Sequence, residues 1–213
     1  MKYAIFDLDG TLLDSMRIWD DIDLEFLVMY DIIPTPQLLE KIKILSIRQV
    51  CELIKSEFGL CLSVESMITE IGNIAEVKYL NEVRLKPFVR EALDKLKNKN
   101  IHMCIATASL RKYVSTVLER LELSDYFDFI ITGDDLSSGK DDPEIFNLCA
   151  ERFGADVCDI VVFEDALHAI ETAKRAGFKV AGVFDESSIG DIDRIREICD
   201  IYLEDMSELE ELV

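Results

Sequence analysis

Phe6-Asp7-Leu8-Asp9-Gly10-Thr11-Leu12-Leu13-Asp14-Ser15 follows directly on the apolar run at residues 2–6, and its reading decides the fold. In an extended chain, residues two apart point the same way, so Asp7 and Asp9 present two carboxylates together at the carboxyl end of a first strand. Read locally, Asp-Gly is a common turn and a lone DxDG carries little weight. A helix-loop-helix calcium loop is the sharper rival. That loop wants Gly at its sixth position and a bidentate Glu at its twelfth, and counting from Asp7 those positions hold Leu12 and Ile18.

Working outward, β-branched runs at 101–106, 127–132, 160–163 and 179–183 alternate with amphipathic segments at 89–97, 110–121, 144–153, 166–176 and 189–198. This alternation predicts an α/β fold, a Rossmann-like parallel sheet with helices on both faces. Residues 98–100 and Gly177 read as helix stops, and Pro143 as a first-turn proline. Residues 15–86 instead carry helical periodicity with no strand signal. Ile22, Phe26 and Met29, then Val50, Leu53, Ile54 and Phe58, recur at steps of three and four. The expected organisation is an α/β core of residues 1–14 and 87–213, plus an inserted all-helical cap domain of residues 15–86. Pro34 and Pro36 divide the insert's first helix from the next, and Pro87 marks the return to the sheet.

Composition bounds the function. A chain of 213 residues that is 49% hydrophobic, with nine Gly and four Pro, can bury a proper core. Its formal charge of −20 repels nucleic acid phosphates and anionic lipid heads, so neither is an expected partner. No apolar stretch approaches the length a bilayer requires, and Asp7 and Asp9 interrupt any N-terminal signal region. The six cysteines share no CxxC or CxxH spacing, which removes a zinc site and favours a reduced, cytoplasmic setting, with Cys104 a small core residue. Eleven acidic residues stand against Arg194 and Arg196 between 185 and 213, read as a solvated helical face. The one locally basic piece of the insert is 34–50, with Lys41, Lys43 and Arg48 against Glu40.

Three more polar features fall at the ends of later strands, where open parallel sheets bind ligands. They are Ala106-Thr107-Ala108-Ser109, Gly139-Lys140 and Glu164-Asp165. Each alone has an ordinary structural reading: Thr107 or Ser109 as a helix N-cap, Lys140 as a loop charge, Glu164 and Asp165 as caps of the next helix. Together they make a set that packing does not require, with four carboxylates, a lysine and a hydroxyl on one sheet edge.

In these motifs the sequence resembles the haloacid dehalogenase superfamily, and within it the phosphatase-like members with a helical cap inserted after the first strand. The strings are DLDGTLLDS at residues 7–15, the Thr of IATAS at Thr107, the lysine of GKDDPEIF at Lys140 and the acidic pair of VVFEDALHAIETAKRAGF at Glu164 and Asp165. The resemblance implies a Mg²⁺-dependent phosphatase acting on a small phosphorylated metabolite through an aspartyl phosphate, as a monomer or weak dimer. Asp7 would be the nucleophile and Asp9 the general acid and then base. Asp7, the Asp9 backbone carbonyl and Asp165 would offer hard oxygens to the metal, with Glu164 an outer ligand. Thr107, Ala108 and Lys140 would hold the phosphoryl oxygens; Lys43 and Arg48 are the insert's best substrate contacts, with solvated helix charges as their ordinary reading. The chain departs from the family pattern where Ala166 stands for a usual Ser and Ala169, preceded by His168, for a usual Gly. His168 and His102 read as packing or surface residues.

Two other classes compete. A phosphomutase of the β-phosphoglucomutase type usually carries His and Lys where Trp19 and Leu110 stand here, which weakens that reading; Trp19 is expected to pack within the insert rather than stack on a substrate ring. A non-catalytic phosphate sensor or receiver module would place its phosphorylated Asp after a later strand and lack the insert.

Overall fold

The computed structural model describes every residue except Ile44, Ser46, 136–141 and Val213, and every side chain except theirs and those of Asp20, Glu40, Lys43 and 210–212. The chain divides into two compact units, one of Met1–Ser15 with Val83–Val213 and one of Met16–Glu82.

In the first unit the strands are β1 (Tyr3–Phe6), β2 (Leu13–Asp14), β3 (Arg84–Leu85), β4 (His102–Ala106), β5 (Phe129–Ile131), β6 (Ile160–Glu164), β7 (Lys179–Val183) and β8 (Ile201–Leu203). Six of them form a parallel sheet in the order β5-β4-β1-β6-β7-β8. The chain leaves β1 for β4 and β5 on one side, then returns to β6 against its other edge. This reversal opens a crevice at the carboxyl ends of β1, β4 and β6. The short pair β2–β3 is antiparallel, with Leu13 opposite Leu85. It places a strand inside 15–86, where none was expected; two-residue strands are held by backbone bonds and leave no side-chain period to read.

Helices of this unit are α5 (Val89–Asn98), α6 (Arg111–Arg120), α7 (Glu144–Phe153), α8 (Leu167–Arg175) and α9 (Ile192–Ile198). Ile5, Cys104, Ile160, Val162 and Val180 share one core with Ile145, Phe146 and Cys149 of α7 and Ala169, Ile170 and Ala173 of α8. The alternate strand residues Ala4, Phe6, Met103, Ile105, Val161, Phe163 and Ala181 are equally buried. A sheet buried on both faces has to be built from unbroken apolar runs, which is why its strands are readable. Phe6 stacks on Phe163 with centroids 4.4 Å apart and meets Phe127 edge-on. Ala169 is fully buried in this packing, whereas His168 is exposed. His102 opens β4 at the surface, pairing with Asp128 at 2.8 Å and stacking on Tyr3.

The second unit comprises α1 (Met16–Met29), α2 (Pro36–Lys43), α3 (Ile47–Phe58) and α4 (Val64–Asn81). Ile22 and Phe26 of α1, Val50, Cys51 and Ile54 of α3, and Met67, Ile71, Ala75 and Tyr79 of α4 are buried. Ser63 caps α4 by accepting from the Ser66 N–H at 3.0 Å. Trp19 meets Tyr79 edge-on at 6.1 Å, a packing role. Met29 and Phe58, read as part of the apolar stripes, are exposed at the last residues of their helices. All six cysteines are free thiols, and burial pushes those of Cys104 and Cys199 up and that of Cys51 up to about 11. Among the described residues no helix is long and apolar enough to cross a membrane.

Candidate active site

Asp7 continues β1 by one residue, since its N–H donates to the Phe163 carbonyl at 2.9 Å and prolongs the β1–β6 ladder. Glu164 ends β6 and Asp165 follows it. Asp7, Glu164 and Asp165 are all at most 5% exposed, and one carboxylate oxygen of each lies within 4.8 Å of the others. Three hard oxygens at that spacing suit a small divalent cation.

The rest of the opening string builds this cluster. Leu12 and Leu13 both donate to the Leu8 carbonyl, and the Gly10 N–H donates to Leu13, which folds the string into a tight loop. Within it Gly10 takes φ +86°, and a Cβ there would stand 2.4 Å from Asp165 Oδ2. Only glycine allows both the left-handed backbone and that approach. Thr11 donates its hydroxyl to Asp165 Oδ1 at 2.8 Å. Gly-Thr in the string therefore seats Asp165. The Ala166 N–H reaches Glu164 Oε1 at 3.3 Å, while the N-cap residue of α8 is Ala166 itself, with no side-chain cap bond.

Asp9 is held differently. Its Oδ1 accepts from Ser15 Oγ and its Oδ2 from Ser109 Oγ, both at 2.6 Å. This leaves its backbone carbonyl as the oxygen to offer a metal. At the end of β4, Thr107 is buried, its N–H donates to the Ile131 carbonyl at 3.1 Å and its Oγ1 accepts from the Ser109 N–H at 3.1 Å. Ala108 is exposed beside it. Lys140 lies outside the described residues, as does the Lys43 side chain. Arg48 is exposed on α3 and pairs with Glu65 at 3.2 Å within the helical unit. The Glu65 backbone N–H and then Arg48 hold that carboxyl below its ordinary range.

Lys86 is a residue sequence reasoning passed over. Its side chain is 14% exposed, and its ammonium donates to the Gly10 carbonyl at 2.6 Å, to Asp185 Oδ2 at 2.8 Å and to the Phe184 carbonyl. Three acceptors use all three donors of an ammonium. The contact ties the Gly10 loop to the end of β7. Burial pushes the Asp185 carboxyl up, but the Lys86 ammonium and the Ser187 hydroxyl and N–H outweigh it and hold the group below its ordinary range. Thr11, Ser15 and Ser109 were also missed as functional residues. Their hydroxyls stood in the quoted strings, but the partners of Thr11 and Ser109 lie far off in sequence.

A haloacid dehalogenase-like hydrolase family model matches residues 4–183. The chain belongs to that family. A phosphorylated carbohydrates phosphatase of Thermotoga maritima is 30% identical over 179 residues, covering 84% of this chain and 83% of its own. A validoxylamine A 7′-phosphate phosphatase of Streptomyces hygroscopicus subsp. limoneus is 27% identical over 98% of this chain and 95% of its own. Among solved structures, that of a candidate β-phosphoglucomutase from Thermotoga maritima superposes with a TM-score of 0.86 at 29% identity, covering all of both chains. This haloacid dehalogenase-like chain is therefore an enzyme, a hydrolase on the parallel-sheet fold described above.

Proposed function

We propose that this haloacid dehalogenase-like phosphatase hydrolyses a small phosphorylated carbohydrate, with Mg²⁺, through a phosphorylated Asp7. The observation that carries the reading is the buried trio of Asp7, Glu164 and Asp165 within 4.8 Å at the switch-point edge of the sheet. The donor set fits Mg²⁺, with Asp7, Asp165 and the Asp9 carbonyl as its holders and Glu164 outside them. When bound, the metal offsets charge on the phosphoryl oxygens.

Asp7 attacks phosphorus with its carboxylate oxygen, and the bond from phosphorus to the ester oxygen breaks. Asp9 gives its proton to that departing oxygen. In the second step Asp9 takes a proton from water as the water oxygen bonds to phosphorus, and the bond to Asp7 breaks to release phosphate. Thr107, the Ala108 N–H and Lys140 hold the phosphoryl oxygens in this reading. In this reading the helical unit serves substrate choice, with Lys43 and Arg48 as its candidate contacts. Free thiols throughout fit a cytoplasmic setting.

Hydrolysis is favoured over phosphoryl transfer back to a sugar because Leu110 and Trp19 stand where mutases place Lys and His, and Trp19 is engaged with Tyr79. The test is intact mass after mixing with an aryl phosphate and Mg²⁺. Asp9→Asn should gain one phosphate and stall, whereas Asp7→Asn should neither gain it nor turn over. Substantial turnover by Asp7→Asn removes the covalent mechanism.

A further inference from the structure

The two hydroxyls on Asp9 take different oxygens, Ser15 on Oδ1 and Ser109 on Oδ2. We propose that Ser15 and Ser109 form a clamp that aims the Asp9 carboxyl at the leaving oxygen, which makes them positioning residues for the proton transfers. The proposal rests on the reading of Asp9 as the acid and base. A carboxyl turns easily about its last side-chain bond, where the torsional wells are broad. One hydrogen bond leaves that rotation open. Two short bonds to opposite oxygens fix the plane of the group, and bonds of this length to a carboxylate are among the strong ones. A hydroxyl can accept as well as donate, so the clamp holds the direction of the carboxyl without dictating which atom carries the proton.

Both serines are themselves built into place. Ser15 is fully buried and is brought back beneath Asp9 by the Leu8 to Leu13 loop and the pairing of Leu13 with Leu85. Ser109 is pinned on both sides of its backbone: its N–H donates to Thr107 Oγ1 at 3.1 Å and its carbonyl accepts from the Gly133 N–H at 3.2 Å. Gly133 can come that close only as glycine, since a Cβ there would stand 2.4 Å from the Ala108 carbonyl oxygen. Capping does not explain Ser109, because the N-cap residue of α6 is Leu110, with no side-chain cap bond. The turn after β5 thus supports Ser109, which supports Asp9.

The clamp should show in leaving-group dependence. An alkoxide must be protonated as it departs, whereas 4-nitrophenolate leaves without help, and kcat/KM reports only the steps through that first bond cleavage. Ser109→Ala and the double variant with Ser15→Ala should lose at least roughly tenfold in kcat/KM on a hexose phosphate but less than about threefold on 4-nitrophenyl phosphate, since a misaim near 1 Å can cost about a hundredfold. Water activation by Asp9 should slow too, so 4-nitrophenol should appear as a burst while phosphoenzyme accumulates by intact mass. Ser109→Thr, which keeps the hydroxyl, should restore the alkyl ester. Equal losses on both esters with no phosphoenzyme, while Asp9→Asn still discriminates between them, would overturn the clamp and leave the acid in place. Equal losses in Asp9→Asn itself would overturn the reading of Asp9 and the clamp with it. Ser109→Ala decides the matter even if Ser15→Ala fails to fold.

Discussion

Replacing Lys86 by methionine should destabilise the sheet unit far more than an ordinary ion-pair deletion. The pair with Asp185 is 2.8 Å long between side chains 14% and 7% exposed. Breaking a pair that well buried by removing one partner costs about 3 to 5 kcal/mol, because the other charge stays behind unpaired. The Gly10 and Phe184 carbonyls lose their ammonium donor in the same step. For a chain of this size that corresponds to a melting temperature lower by roughly 6 to 20 °C. The double variant Lys86→Met with Asp185→Leu removes the stranded carboxylate and should recover part of the loss, roughly 1 to 3 kcal/mol. Acid should narrow the gap between parent and Lys86→Met. The folded Asp185 carboxyl lies below its unfolded value, so its contribution is complete above about pH 4 and is lost as pH falls through the folded value. Urea melts at pH 7 and pH 3.5 test this. A Lys86→Met variant within about 1 kcal/mol of the parent at pH 7 would mean that the pair behaves like a screened surface contact, and the structural reasoning would fail.

Gly10→Ala should lose at least about 1 kcal/mol to its left-handed backbone alone, and moving Asp165 aside should lower turnover more than tenfold; unchanged phosphatase activity would contradict the close approach. Asp165→Asn should raise the melting temperature of the EDTA-treated protein, by an amount near 1 kcal/mol from relieved repulsion, and should lose most of the stabilisation Mg²⁺ gives the parent, which paired melts with and without metal would read. Excess EDTA should abolish turnover of an aryl phosphate by the parent, as measured by released phosphate.

What was legible in the sequence tracks how local its cause is. The strands β1, β4, β6 and β7 come from unbroken apolar runs because both faces of the sheet are covered, and β7 matches its expected bounds residue for residue. Three-residue β8 escaped because it lies at the sheet edge between Asp200 and Glu204, with too few residues to show a pattern. The run at 127–132 shortens to Phe129–Ile131 because Phe127 closes a turn begun at Ser124, and Asp135 takes the Thr132 N–H. Likewise α9 begins at Ile192 rather than 189, since Ile189 is exposed and its neighbours form turns on Asp185. Around the site, Asp7 and the Glu164-Asp165 pair could be placed at neighbouring strand ends because each follows its own strand. The supports could not. Ser109 meets Asp9 across 100 residues and Lys86 meets Asp185 across 99, and no periodicity links positions so far apart.

The division of labour among those supports bears on how the proposed cation would act. In a chain of net charge −20, three buried carboxylates converge at the crevice. Several of the described contacts around them orient the carboxylates through neutral groups. Thr11 gives Asp165 a neutral hydroxyl, Ser15 and Ser109 give Asp9 the same, and the Lys86 ammonium spends its donors on Gly10, Phe184 and Asp185. These hydroxyl contacts help fix the cluster's shape, and on the proposed reading a bound Mg²⁺ offsets its charge. A dianionic phosphate ester adds more negative charge to the same crevice, so substrate affinity should rise with Mg²⁺ concentration. The apparent KM should then fall as metal is raised, whereas a KM independent of Mg²⁺ would mean that the phosphate is bound away from this cluster.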